Sequence, residues 1–104
     1  MANYVFAYSG GNGVAADEAE RHAQYVKWGR WFGELGPAVV EGGAAMGIAK
    51  TVGQGGSVSD GGSRGLSGYS IVSADSLDSA VELAKGCPVL EIGGAVDVYE
   101  VIAM

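Results

Sequence analysis

Cysteine, histidine, proline and basic residues are scarce in this chain of 104 residues, which has one cysteine, one histidine, two prolines and six lysines and arginines. The single cysteine, Cys87, excludes an internal disulfide and is typical of a reducing compartment, so we expect a cytoplasmic location. Twelve acidic residues give a net charge of −6, and the six basic residues are scattered along the chain. Nucleic acids and anionic membranes bind clustered lysine and arginine, so we expect neither as a partner.

Long apolar runs are also missing. No run approaches the roughly 20 residues that cross a bilayer, and the start of the chain lacks the basic residues and the long apolar stretch of a signal peptide. Glycine is abundant instead, at 19 of 104 positions, against a usual share of about 7 %. The length suits one domain with a modest core, which we place over residues 1–104.

Residue periodicity in the first half of the chain predicts a strand, a helix and a second strand. Residues 3–9 are β-branched and aromatic with both faces apolar, which is typical of a strand inside a sheet. Residues 15–35 have helical spacing, and a glycine followed by a proline ends the helix. The second strand starts at residue 39, is bulged at two glycines, and is expected to continue over residues 46–52. The helix face expected in the core consists of Arg21, Tyr25, Trp28, Trp31, Phe32 and Leu35.

The second half of the chain predicts a loop, a strand, a helix and a last strand. Residues 53–65 are too rich in glycine for anything but a loop, in which Val58 allows a brief extended stretch. A strand over 66–73 precedes a helix that Asp75 or Ser76 caps, and the last strand covers 95–102. The predicted order is therefore β-α-β-β-α-β. The apolar face of the second helix is expected to contain Leu77, Ala80, Val81 and Ala84.

This order of elements predicts an α+β domain whose two helices lie on the same side of one antiparallel sheet. The other face of the sheet is then bare. Because the strands have apolar residues on both faces, water against that face would leave a larger apolar patch than monomers usually expose. We therefore expect a second copy of the chain to cover it in a two-fold homodimer.

Sequence motifs in both halves extend this expectation. The second half contains GY at 68–69, ADSLDSA at 74–80, a Gly-Cys-Pro after the helix, and a glycine pair before the last strand; the first half contains W-G-x-W-x-x-x-L-G on the helix. The chain resembles the YCII-related family, which includes the YciI-like and DGPF-type proteins. The resemblance implies a ferredoxin-like βαββαβ fold that forms a dimeric α/β barrel.

The same resemblance implies a histidine and an acid at a cleft, the histidine early in helix 1 and the acid at its end. Glu34 stands at the acid position. The usual histidine position falls near Tyr25, and His22 lies one turn earlier. His22 is the one histidine of the chain and titrates near neutral pH, so it is either a general base or a partly exposed residue at the rim of the core.

His22 also begins a stripe on helix 1 that continues through Val26, Gly29 and Gly33 at helical spacing. Glycine inside a helix costs about 1 kcal/mol relative to alanine, so a close approach is expected there. Either another element of the protein packs against Gly29 and Gly33, or a ligand reaches the backbone beside the His22 ring.

Three further residues are candidates for a site. Asp60 is followed by glycine, as in DGPF-type proteins, and either forms a turn or belongs to a loop that closes over a pocket with Arg64. Glu100 interrupts an apolar strand face, so it has a partner, faces a wet cavity, or lies at an edge. Tyr69 is a strand aromatic that either contacts a ligand or packs in the core or an interface.

Cofactor and metal sites are not expected. Gly11, Gly13 and Ala16 follow a strand as in a dinucleotide-binding turn, but the acidic residue that completes that fingerprint is missing. Glu18 and His22 are spaced to bind a metal weakly, and no stronger ligand spacing is present.

Two functional hypotheses follow from the sequence. In the first, the protein is a cofactor-free acid/base enzyme of isomerase or lyase type acting on a small polar metabolite, with His22 as base and Glu34, Asp60, Tyr69 or Glu100 assisting. In the second, the same pocket binds a small molecule without catalysis. The residues leave both open.

Overall fold

The computed structural model describes residues 2–10, 18–61 and 65–102. They form an α+β domain, and short 3-10 helices connect several of its elements. Within the described residues, no helix has both the length and the apolar character needed to cross a membrane. The strands and helices are β1 (Ala2–Gly10), α1 (Glu18–Leu35), β2 (Val39–Ala45), β3 (Lys50–Val52), β4 (Val58–Asp60), β5 (Leu66–Ala74), α2 (Leu77–Ala84) and β6 (Gly94–Glu100).

Four of these strands form one antiparallel sheet in the order β2-β5-β1-β6, and β3 pairs only with β4 in a separate two-stranded ribbon. In the register of the sheet, Phe6 of β1 lies opposite Ser70 of β5 and Val98 of β6. Residues directly opposite each other point to the same face. From Gly68 onwards in β5, and along β1 and β6, the even-numbered residues therefore share one face and the odd-numbered residues share the other; a register shift puts Leu66 opposite Ser9.

The core lies on the even-numbered face. Trp31 of α1 and Ala80 of α2 are both buried against Phe6 and its neighbours on this face. The Trp31 indole stacks on Phe6 with ring centroids 6.1 Å apart, and its Nε1 donates a hydrogen bond of 3.2 Å to the carbonyl oxygen of Leu83 in α2. Both helices thus lie on the same side of the sheet, as the order of elements predicts. The Cα atoms span 43 × 41 × 19 Å, and the short dimension fits one sheet and one layer of helices.

The predicted core face of α1 is correct at its C-terminal end and wrong at Tyr25. Trp31 and Leu35 are buried, and Trp28 and Phe32 pack against the core. Tyr25 is 77 % exposed, although it lies nearly two full turns before Phe32 and points in almost the same direction; the described core does not extend to this part of α1.

In α2, the Ser76 hydroxyl accepts a hydrogen bond of 3.1 Å from the Ser79 backbone N–H. Ser76 rather than Asp75 is thus the N-cap. Ala80 and Ala84 are buried as predicted, whereas Leu77 and Val81 are exposed. The helix turns its small residues to the sheet, which allows its backbone to lie close.

The region between β2 and β5 differs from the prediction. The expected bulge is present, because the pairing of β2 with β5 shifts between Val39 and Glu41 and again between Glu41 and Ala44. The expected continuation of this strand through Val52 is wrong. Residues 50–52 instead pair with 58–60 across a turn at 53–57, so part of the predicted loop is a strand. The short apolar runs show strand character but do not specify the pairing partner.

No described element of the chain covers the face of the sheet opposite the helices. We call it the open face. Its central residue, Ala7, is buried by its neighbours, Val5 and Ile71 are half-buried, and Tyr99 is 53 % exposed. It contains Asn3, Val5, Ala7, Ser9, Glu41, Ala44, Ser67, Tyr69, Ile71, Ser73, Ala95, Asp97 and Tyr99.

Candidate anion-binding cleft

A cleft of about 480 Å³ lies between α1 and the segment that connects α2 to β6. One wall is the C-terminal half of α1, and the other begins where α2 ends. The residues that line it are Lys27, Arg30, Trp31, Glu34, Lys85, Gly86, Cys87, Pro88, Leu90 and Glu91.

The wall on α1 follows from helical spacing. Residues 27, 30, 31 and 34 are three or four positions apart and so share one side of the helix. Trp31 is buried and anchors this side to the core. The three charged members, Lys27, Arg30 and Glu34, therefore project along the margin of the core towards the second wall.

The wall after α2 approaches α1 closely because residue 86 is glycine. A Cβ atom built at Gly86 lies 3.2 Å from both Cδ1 and Nε1 of Trp31, so a larger residue would push the indole away. Trp31 in turn donates its hydrogen bond to Leu83 in the last turn of α2. The two walls are thus joined through one tryptophan side chain.

Positive charge predominates among the lining residues. Lys27, Arg30 and Lys85 are three of the six basic residues of the chain, and they face two carboxylates, Glu34 and Glu91. The basic residues that are scattered along the sequence are therefore partly clustered by the fold. A local excess of positive charge on a chain of net charge −6 is a feature that attracts small anions.

The ion pairs at the cleft are exposed. Lys27 Nζ lies 3.3 Å from a Glu91 carboxylate oxygen, and Lys85 Nζ lies 2.7 Å from Glu82. Exposed pairs of this kind contribute about 0–1 kcal/mol, so an incoming anion can displace their carboxylates. The Arg30 side chain takes part in none of the hydrogen bonds or ion pairs found among the described residues, which leaves its guanidinium group available for a ligand.

Of the seven site residues predicted from the sequence, Glu34 is the one that lines this cleft. His22 is exposed on the same helix, but twelve residues separate it from Glu34, which is about 18 Å along the helix axis at 1.5 Å per residue. A histidine–carboxylate pair needs hydrogen-bond contact. Within one chain, the structure therefore does not bring His22 and Glu34 together.

Gly29 and Gly33 lie on the exposed side of α1. A Cβ atom built at either residue meets no described atom within 4 Å. The expected packing of another element of this chain against the two glycines is therefore wrong. The other hypothesis, that a ligand contacts this stripe, stays a prediction.

Asp60 and Tyr69 lie in different parts of the molecule from the cleft. Asp60 is the last residue of β4 and its carboxylate binds Lys50 Nζ at 2.6 Å; Gly61 follows with a φ of 76°, in agreement with a turn. Tyr69 is on the open face and donates a hydrogen bond of 3.0 Å to the Glu41 carboxylate. That hydrogen bond and the charge of Glu41 raise the pKa of the Tyr69 hydroxyl.

Glu100 is exposed at the end of the edge strand β6, opposite Tyr4 on the helix-side face. This agrees with the edge position that the sequence left open as one alternative. The predicted loop residue Arg64 and the glycine turn with Gly11, Gly13 and Ala16 lie outside the described residues. Among the residues that are described, no group of three or more His, Cys, Asp or Glu side chains is placed to hold a metal ion.

Sequence reasoning missed Lys27, Arg30 and Lys85. The spacing of Lys27, Arg30 and Glu34 places them on one helix face, and that signal was present in the sequence. Lys85 belongs to the end of another helix, and no pattern in the sequence connects it to Arg30. Their proximity depends on the contact between Trp31 and Gly86.

Cys87 lies at the floor of the cleft, and we expect its thiol to resist modification. It is 2 % exposed, and burial raises its pKa to about 11, so at neutral pH it carries almost no reactive thiolate. A disulfide reagent such as dithionitrobenzoate should modify it at the rate of unfolding, and quickly in urea. Fast modification without denaturant would contradict this.

The raised pKa of Cys87 also gives a pH dependence of stability. The unfolded chain loses the thiol proton near the ordinary value of 9.0, whereas the folded protein keeps it to about 11. The contribution of this group to the free energy of unfolding is therefore complete below pH 9 and is lost as the pH rises to 11.

No protein-family model matches the chain, and neither a curated protein nor a solved structure is significantly similar to it.

Proposed function

We propose that the protein binds a small anionic molecule, with a carboxylate or phosphate group, in the cleft between α1 and residues 85–91. The observation that carries this proposal is the meeting of Lys27, Arg30 and Lys85 at one cavity in an acidic chain. A guanidinium group binds a carboxylate or phosphate through two parallel hydrogen bonds. Arg30 is the residue placed to do so, and the two lysines add charge on either side.

The cleft suits a small ligand. Its volume of about 480 Å³ lies in the range of pockets for small molecules. Glu34 stands one helical turn from Arg30 and is positioned to accept a hydrogen bond from a hydroxyl or amino group of the same ligand. The proposed ligand therefore combines an anionic group with a hydrogen-bond donor.

Acid/base catalysis of isomerase or lyase type remains a second proposal. What supports it is the position of Glu34 in the cleft, beside three cations that would stabilise a developing negative charge. His22 is not part of this proposed mechanism, because it does not reach Glu34. Turnover of a bound anion that is lost in Glu34→Gln, with binding retained, would favour the enzyme over the binding protein.

We also propose that the chain has a ferredoxin-like fold, belongs to the YCII-related family and forms a homodimer through the open face. In support, β1 and β2 enclose β5, and β5 and β6 enclose β1, so that the two β-α-β halves are interleaved. The central strands β1 and β5 have no charged residue on the open face, and its two acidic residues, Glu41 and Asp97, lie on the edge strands β2 and β6; depletion of charge is typical of interface cores. A cytoplasmic location is proposed on the single cysteine.

The anion site is tested by titrating inorganic phosphate and succinate into ¹⁵N-labelled protein. We expect the amides of Gly86 and Cys87 and the Trp31 indole N–H to shift in a saturable way, and added salt to weaken the binding. Arg30→Gln should raise the Kd about tenfold or more, because a hydrogen bond to a charged group is lost.

Lys50→Gln is the matched control, because it removes the same charge from the ribbon formed by β3 and β4. It should leave the Kd within about twofold, since charges more than a Debye length apart are screened. Equal effects of the two substitutions, or no shift at Gly86 and Trp31 with either anion, would overturn the proposal.

A further inference from the structure

Residues 46–61 form a hairpin that projects from the end of β2, and we call this segment the arm. Three pairs of residues join its strands, with Val52 opposite Val58. The Gly61 N–H donates a hydrogen bond of 2.8 Å to the Ala49 carbonyl oxygen, and the Lys50–Asp60 ion pair lies beside it. These contacts are within the arm, and all of its residues except Thr51 are exposed.

The arm exposes apolar side chains that the other described residues do not cover. Val52 and Val58 are directly opposite each other, share one side of the ribbon, and are 70 % and 61 % exposed; Ile48 is fully exposed. An isolated two-stranded hairpin is marginally stable in water, and this one has only three pairs. A cover over the two valines would add the apolar burial that the arm lacks.

The open face by itself has too little area to form a stable dimer. With four strands about 4.8 Å apart and about seven residues at 3.3 Å each, it measures about 19 by 23 Å, or roughly 440 Å². A standard interface buries about 800 Å² on each partner. The face therefore supplies about half of the area that a stable homodimer needs.

The arm adds about as much area as the open face lacks for a stable homodimer. Sixteen residues folded as a hairpin present a side of about 10 by 25 Å, or roughly 250 Å². In a two-fold dimer each protomer gives one arm and receives one. The two contacts add about 500 Å² to each protomer, which brings the interface to standard size.

We infer that the arm is an interaction surface for a second copy of this chain, and that in the homodimer Val52 and Val58 of each arm pack on the partner protomer. The arm follows β2, which is an edge strand of the sheet, and β3 and β4 contact mainly each other among the described elements, so the arm is accessible to a second protomer. This inference rests on the proposed dimer through the open face. It is independent of the proposed anion site.

The test compares three variants by sedimentation equilibrium between about 1 and 100 µM, the range in which specific interfaces of this size dissociate. The wild type is expected at twice the chain mass of 10.5 kDa. The arm variant, Val52→Ser with Val58→Ser, should raise the dimer Kd about tenfold or more, because two buried valines are lost. Val5→Glu, on the open face between Ile71 and Tyr99, should give a monomer, because it buries a charge that no directly opposite residue pairs.

The matched control is Val26→Ser with Val81→Ser, two exposed valines on the outer sides of the helices. It should leave the dimer unchanged. Near-ultraviolet circular dichroism should be the same for the wild type and the arm variant, since the arm does not belong to the core.

Three results would overturn the inference, and they distinguish a failure of the proposed role of the arm from a failure of the proposed dimer. A wild-type protein that is monomeric at 100 µM would overturn both the proposed dimer and the proposed role of the arm. If Val5→Glu dissociates the dimer but the arm variant does not, the dimer through the open face stands and the proposed role of the arm is overturned. If the arm variant and the matched control raise the dimer Kd equally, the proposed role of the arm is overturned as well, because any exposed valine would then have the same effect.

Discussion

Trp31→Ala is expected to lower the free energy of unfolding by about 3–5 kcal/mol, which is a large part of the roughly 5–15 kcal/mol that stabilises a domain. Trp31 is 4 % exposed and has ring contacts with Phe6, Tyr8, Trp28 and Phe32. Its removal leaves a cavity between the sheet and α1 and detaches α1 from the end of α2. Urea unfolding followed by far-ultraviolet circular dichroism measures the loss.

Trp31→Phe separates packing from the hydrogen bond. Phenylalanine keeps most of the ring contacts but does not donate to Leu83, whose carbonyl oxygen still accepts from the Gly86 backbone N–H. We expect a loss of about 1–2 kcal/mol for this variant. A loss below about 2 kcal/mol for Trp31→Ala would show that this tryptophan is not the centre of the core.

Gly43→Ala is expected to detach β2 from the sheet. Gly43 has a φ of 80°, where a side chain is strained by about 1–3 kcal/mol. A Cβ atom there would also overlap the Tyr69 carbonyl oxygen and lie 2.7 Å from the Tyr69 carbonyl carbon. Because these are backbone atoms of β5, the strands must separate. We expect a total loss above about 3 kcal/mol, measured by thermal unfolding together with hydrogen exchange of the β2 and β5 amides.

The neighbouring Gly42→Ala is the control. Gly42 has no positive φ, and a Cβ atom at this position meets no described atom within 4 Å. Alanine restricts the unfolded chain, so the expected change is small and in the direction of higher stability, by up to about 1 kcal/mol. If both substitutions have the same effect, the bulge is not held by Gly43.

The contrast between these two glycines shows why the bulge was predictable and its details were not. Two adjacent glycines in a strand indicate a bulge from sequence alone. Which of them adopts the positive φ depends on the strand opposite. There the buried Ser70 hydroxyl accepts a hydrogen bond from Tyr8 at 2.8 Å and donates one of 2.7 Å to the Gly42 carbonyl, and this fixes Gly42 against β5.

The arm shows a different limit of sequence reasoning. Lys50–Val52 was predicted as a strand and lies in one, but its expected partner was wrong. Three alternating residues are compatible with either neighbour, and the choice between them depends on the turn at residues 53–57, in which Gly55 and Gly56 both have positive φ. The abundance of glycine was interpreted as the absence of structure, whereas here it is what allows the turn.

Among the candidate site residues, Glu34 was predicted from the sequence and lines the cleft, and its expected partner His22 does not. Both are on α1, so their separation follows from helix geometry alone and was available without a structure. The stripe that runs through Gly29 and Gly33 was expected to meet another element. A helical wheel gives the direction of a residue relative to its neighbours, but it does not say which direction faces the sheet.

The sequence by itself determined the kinds and order of the main elements, a helix cap at Asp75 or Ser76, the bulge in β2 and the side of the sheet on which both helices lie. These features depend on interactions between residues close along the chain, or on the handedness of short connections. Only the tertiary structure decided that Arg30 and Lys85 meet at one cleft, that β3 pairs with β4, and that Gly29 and Gly33 face outwards. Each of these depends on which distant surfaces come into contact, and a pattern of neighbouring residues carries no information about that.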